Sequence, residues 1–198
     1  MYSIKNNISN TIIIKKSKFI TYLYKVNNIE EINNILKEIK TKYNDSTHTC
    51  YAYIVNGHEK VSDDGEPSGT AGMPILNVLK KNSLTNVLAI VVRYFGGIKL
   101  GAGGLLRAYS NSITDALKQT QIIELEYGYL VEITFKHENI KLIDYMLSNK
   151  NIIKKSYEED ITYKFYLNKN ELSFVSELEK CCLHVSIIDK TLIEKCKD

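Results

Sequence analysis

The chain has no tryptophan, two prolines and, among 26 basic residues, only two arginines, Arg93 and Arg107. Its four cysteines, Cys50, Cys181, Cys182 and Cys196, form no C-x-x-C pair. That spacing suits neither a zinc site nor a small disulfide framework and leaves free thiols in a reducing compartment as the expectation. No apolar run approaches the roughly 20 residues of a membrane helix. The opening Met1-Tyr2-Ser3-Ile4-Lys5-Asn6 lacks the charged-then-apolar layout of a signal peptide. A cytoplasmic protein with no membrane partner is expected. The net charge of +3 is too small to announce nucleic-acid binding by itself. Two arginines close together in a lysine-rich chain instead suggest a local need for a planar, bidentate donor.

What is present is unevenly placed. Nine of the ten glycines fall between Gly57 and Gly104, with both prolines, Pro67 and Pro74, inside that stretch; the tenth, Gly128, marks a boundary. At 198 residues, two cores of about 100 residues each are viable. The expected division is residues 1–125 and 126–198. Thr11 to Val26 is β-branched and aromatic and reads as strand around Lys15-Lys16-Ser17-Lys18. Ile29, Ile32, Ile35, Leu36, Ile39 and Tyr43 share one helical face, and Asn28 with Glu31 supplies a capping-box start. In the strand His48–Val55, His48, Cys50, Ala52 and Ile54 face one way, Tyr51, Tyr53 and Val55 the other. Val61 to Gly72 reads as loop, and Pro74 suits the first turn of a short helix. The continuous apolar run Asn86–Val92 predicts a strand buried on both faces. It is followed by a helix with Leu105, Tyr109, Ile113, Ala116 and Leu117 on one side. Beyond Gly128 the order is βαββαβ, the ferredoxin-like split βαβ.

Two segments could carry chemistry. In Ser62-Asp63-Asp64-Gly65-Glu66-Pro67-Ser68-Gly69-Thr70, three carboxylates lie within four residues. Such a cluster can hold a hard cation, but the spacing is not that of a calcium loop, and a turn whose Asp side chains bond local amides is the structural reading. Asp63, Asp64, Glu66, Ser68 and Thr70 are candidates for a partner-binding loop, with no metal assigned. The second segment runs from Arg93 to Arg107, where a buried strand feeds a glycine-rich turn and then a helix. Free amides at that helix start form a natural anion site, with Arg93, Tyr94, Gly97, Lys99, Gly101, Gly103, Gly104 and Arg107 as candidates. Arg107, expected in the first turn, opposes the helix dipole at about 0.3–1 kcal/mol. The glycine spacing matches neither a phosphate-binding G-K-[ST] loop nor G-x-G-x-x-G, and close backbone packing remains an equal alternative. His48 with Cys50 lacks a nucleophile elbow, so no catalytic residue and no cofactor are assigned. Lys15, Lys16 and Lys18 read as a solvated face.

Read together, the blocks Asp63–Leu76 and Arg93–Tyr109 resemble the IMPACT/YigZ-like family, and His48-Thr49-Cys50-Tyr51-Ala52-Tyr53 agrees with its preceding strand. Lys18 departs from the arginine expected before Phe19. The resemblance covers residues 1 to about 125. The remainder resembles the small C-terminal domain of bacterial members by length and element order. It implies an α+β chain of two domains: an N-terminal two-layer α/β sandwich of ribosomal-protein and translation-factor type, and a ferredoxin-like C-terminal domain. Eukaryotic relatives regulate translation initiation under stress through a protein partner, whereas for bacterial relatives nucleic-acid or ribosome binding is inferred mainly from fold. The expected function is therefore a non-enzymatic, translation-associated binding protein contacting RNA, the ribosome or a ribosome-bound protein. The alternatives are a metal-assisted hydrolase of a phosphate-bearing substrate, with Asp63, Asp64 and Glu66 as ligands, and a pure protein-interaction module.

Overall fold

The computed structural model describes residues 1–195, so Cys196 lies outside it. The chain divides into two compact units, Met1–Glu124 and the residues from Leu125 onward. Among the described residues no helix is long and apolar enough to cross a membrane.

The first unit is built on an antiparallel sheet. Its strands β2 (Ile8–Ile14), β3 (Ser17–Lys25), β4 (His48–Val55), β5 (His58–Ser62) and β6 (Val87–Tyr94) lie in the spatial order β2-β3-β6-β4-β5. β6 sits at the centre because it has nothing to show water: Val87 to Val92 are each fully buried. Burying its valine, leucine and isoleucine side chains stabilises by roughly 1.5–3 kcal/mol each. Val87, Ala89 and Val91 face helices α2 (Gly72–Lys81) and α3 (Ala102–Leu117), joined there by Cys50, Ala52 and Ile54 from β4. Leu88, Ile90 and Val92 face the other way, with Tyr53 and Val55, against Ile32 and Ile39 of α1 (Ile29–Lys42). The expected alternation in β4 is thus what the sheet displays. α1 begins as the sequence predicts: the Asn28 side chain accepts from the Glu31 amide at 2.8 Å, and the Glu31 carboxylate accepts from the Asn27 amide at 2.9 Å.

Two strands have no clear signal in the sequence. β1 (Tyr2–Ile4) pairs with the first residues of β7 (Ile122–Phe135), Tyr2 opposite Glu124. β5 is an edge strand of His-Glu-Lys-Val-Ser with no apolar alternation to betray it. The β2–β3 hairpin pairs Ile14 with Ser17, leaving Lys15 and Lys16 as a two-residue turn with φ of 46° and 63°. Two positive φ values in a two-residue hairpin loop mark the turn that matches strand twist.

The second unit continues β7 with α4 (Ile140–Met146), β8 (Asn151–Tyr157), β9 (Ile161–Asn168), α5 (Ser173–Leu178) and β10 (His184–Glu194). β10 pairs with β7, β7 with β9 and β9 with β8, all antiparallel, which is the βαββαβ ferredoxin-like arrangement. Val131, Ile133, Phe135, Tyr163, Phe165 and Leu167 bury one sheet face against Ile143, Leu147 and Leu178. The α+β fold class read from the sequence is the one observed.

Candidate functional site

Each carboxylate of the Asp63–Glu66 loop has an internal partner. Asp63 accepts from the amides of Gly69 at 2.8 Å, Ala71 at 3.0 Å and Gly72 at 2.8 Å. The last of these opens α2, which has no side-chain cap at Ala71, so Asp63 caps that helix from outside it. Burial of Asp63 works to raise its pKa, but the three amide donors outweigh it and hold the carboxyl below its usual range. Asp64 accepts from the Thr49 amide at 2.6 Å and lies 3.5 Å from Lys40 Nζ. Glu66 turns inward, and its side chain is 3% exposed. Thr70 is buried too and donates to the Pro67 carbonyl at 2.6 Å. Of the five candidates in the loop, Asp64 and Ser68 are exposed. A contact surface made of all five is therefore corrected: Glu66 and Thr70 are core residues, and Asp63 is held by three amides.

Glu66 is the hub of a buried polar cluster that joins the two glycine-bearing segments. Its Oε1 takes a hydrogen bond from Arg93 Nη1 at 2.5 Å and another from the Tyr109 hydroxyl at 2.8 Å. Cys50 Sγ lies 3.3 Å from that hydroxyl and 2.9 Å from the Asp63 carbonyl oxygen, so its single S–H can serve either. His48 Nε2 lies 3.8 Å from Glu66 Oε2, while Nδ1 is 2.8 Å from the Asp64 carbonyl oxygen. Arg93 also reaches Ser17 Oγ at 3.4 Å, and its guanidinium lies over the rings of Phe19 and Phe95, 5.4 and 5.6 Å from their centroids. This corrects the expectation that Arg93 meets an external anion. It is 4% exposed and its charge is already matched by Glu66. Removing one member of such a buried pair costs about 3–5 kcal/mol, because the other charge stays buried alone. Burial pushes the Cys50 thiol up to about 12, against the lowering by Tyr109, so it carries no appreciable thiolate near neutral pH. The arrangement matches the buried charges to each other and keeps the Cys50 thiol protonated.

What remains open is the surface just beyond β6. Tyr94 is half-buried and donates to Asp45 Oδ1 at 2.7 Å, a bond that pushes its phenol up to about 12. Phe95 is 46% exposed, and Gly97, Lys99, Gly101 and Gly103 are exposed as well. Gly101, φ 70°, precedes the first residue of α3 and gives it no side-chain cap, and residues 101–103 at that head are exposed. Arg107 is exposed but sits in the second turn of α3, beyond the first-turn position expected for it. Its opposition to the dipole is correspondingly weaker.

One neighbour was not legible in the sequence. A Cβ built on Gly96 would lie 2.0 Å from the Lys16 carbonyl carbon and 2.3 Å from the Ser17 nitrogen. Backbone therefore rests directly on backbone there, and the Gly96 amide donates to Ser17 Oγ at 3.1 Å. The lysine-bearing hairpin turn, read as a solvated face, is laid beside the glycine-rich turn. Lys18, paired with Tyr94 across β3 and β6, is exposed next to it. Part of the site thus comes from a segment almost eighty positions away.

Among the described residues no group of three or more His, Cys, Asp or Glu side chains is placed to hold a metal ion. The carboxylates proposed as ligands in the hydrolase alternative are those engaged by Thr49, Lys40, Arg93, Tyr109 and three amides of the loop.

Comparison with known proteins places these features in a family. The Impact N-terminal domain matches residues 15–117. The IMPACT family member YvyE of Bacillus subtilis is 37% identical over 181 residues, covering 89% of this chain and 83% of that protein. An IMPACT family member of Haemophilus influenzae is 44% identical over 110 residues, 53% of each chain. A crystal structure of a hypothetical protein superposes with TM-score 0.67 at 25% identity, covering 100% of this chain and 98% of the other.

Proposed function

The chain belongs to the IMPACT family, and from that premise we propose that it is a non-enzymatic regulator of translation. In this reading it contacts RNA, the ribosome or a ribosome-bound protein through the surface beyond β6. The observation that carries the reading is the uncapped, glycine-rich head of α3 with exposed Lys99 and Arg107 beside it. Neither cation has an ion-pair partner among the described residues, whereas Arg93 is spent on Glu66. An uncapped helix head, its dipole and two free cations make a fitting place for phosphate. The buried Glu66–Arg93–Tyr109 cluster supports that surface from behind and holds no reactive group of its own. A protein-interaction surface is the second reading, favoured by Ile98 and Leu106, each 42% exposed around the same turn.

Co-sedimentation with ribosomes tests the site. The tagged chain and its Lys99→Ala/Arg107→Ala variant are spun through lysate at low and high salt, with and without nuclease. The expected result is association that weakens with salt, is abolished by RNA digestion and is much reduced in the variant. A variant that sediments like the parent removes the α3 head from the interface. Association that resists both salt and nuclease selects the protein-partner reading.

A further inference from the structure

Resting on that reading, we infer that Phe95 and the Lys15–Lys16 turn complete the surface as a seat for single-stranded RNA. The ring stacks on an unpaired base, while Lys15, Lys16, Lys18, Lys99 and Arg107 meet the flanking phosphates.

Phe95 follows a strand whose apolar residues are fully buried, yet it stands 46% exposed. Its position is fixed at both ends: its amide donates to Thr47 Oγ1 at 2.9 Å, and the next residue, Gly96, is pressed on the Lys16–Ser17 backbone. Arg93 lies over the ring, 5.6 Å from its centroid. An aromatic ring held open in this way forgoes burial energy, and among polar loops and cations its chemistry suits a base. Lys15 and Lys16 carry φ of 46° and 63°, a conformation that costs a residue with a Cβ about 1–2 kcal/mol and that Asn-Gly adopts more readily. The hairpin turn requires that conformation, so lysines at these two positions bear a cost that Asn-Gly would avoid. None of the five cations has an ion-pair partner among the described residues, and all five are exposed. A duplex hides its base faces within the stack, so an open ring flanked in the chain and across the hairpin contact by exposed cations selects a single strand.

Fluorescence anisotropy of the full chain tests this. The probe is a labelled RNA of about 12 nucleotides without self-complementarity, set against a duplex of the same length. The single strand is expected to bind, with the duplex at least about tenfold weaker. Phe95→Ala should weaken the single strand about tenfold or more at unchanged salt slope. Lys15→Asn/Lys16→Gly should lower the salt slope by up to about 1.4, near 0.7 for each phosphate no longer neutralised. Because Asn-Gly suits the turn, that double variant should melt no earlier than the parent, which separates an effect of charge from an effect on folding. Equal binding of duplex and single strand, or an unchanged Phe95→Ala variant, overturns the inference. So does ribosome association without RNA binding, which leaves the broader function standing. Association that resists nuclease yet is abolished in Phe95→Ala assigns the ring to a protein partner and also overturns it.

Discussion

Asp63 shows how much one side chain can organise. Three amides converge on its carboxylate, one of them at the head of α2. Its folded pKa is lowered, since the amide bonds outweigh the raising effect of burial. A lowered folded pKa means that the stabilisation is complete above the unfolded value near 3.9 and is lost as pH falls through the folded value. Asp63→Asn should therefore be less stable than the parent by a constant amount above about pH 5, with the gap closing below about pH 4. Urea midpoints measured across that range check it. A gap of equal size at low and neutral pH would show that the charge on Asp63 contributes nothing. The carboxylates were visible as a cluster in the sequence, but their individual partners were not. Whether Glu66 turns toward solvent or toward Arg93 depends on the sheet that brings the two together, 27 residues apart.

At the scale of elements, β6 and β4 could be read directly because their apolar pattern allows little else, whereas β1 and β5 could not. β5 is an edge strand, and His58-Glu59-Lys60 need no buried face. The approach of the β2–β3 turn to the end of β6 was equally hidden, since it is made by backbone. It predicts a contrast between two glycines. Gly96→Ala would place its Cβ 2.0 Å from the Lys16 carbonyl carbon, where no rotamer can relieve the clash. The hairpin must then part from β6, at a cost of about 3 kcal/mol or more. Gly101→Ala meets nothing within 4 Å and bears only the cost of its φ of 70°, about 1–2 kcal/mol. Denaturation midpoints of the two variants give the comparison, and equal destabilisation would contradict it.

For the molecule as a whole, two compact units with separate cores suggest separate melting. The cysteines supply reporters: Cys50 is fully buried in the first unit, and Cys182 packs on the core of the second, its thiol pushed up to about 12 by burial. Thiol labelling in rising urea, followed by peptide mapping, should expose Cys50 and Cys182 at different denaturant concentrations. Simultaneous exposure would mean a single cooperative block. Fold class was legible because period and order are properties of long segments; beyond β6 the sequence displays the glycine-rich turn but not the hairpin turn that lies against it. The touching backbones at Lys16 and Gly96 also bear on the family's history. Where two side chains meet, a change in one can be answered by a change in the other, and the pair drifts together. Where backbone meets backbone there is nothing to exchange, so Gly96 can be kept or replaced but not compensated. One of the tightest long-range approaches in the first unit would thus leave no co-varying pair in any alignment of relatives.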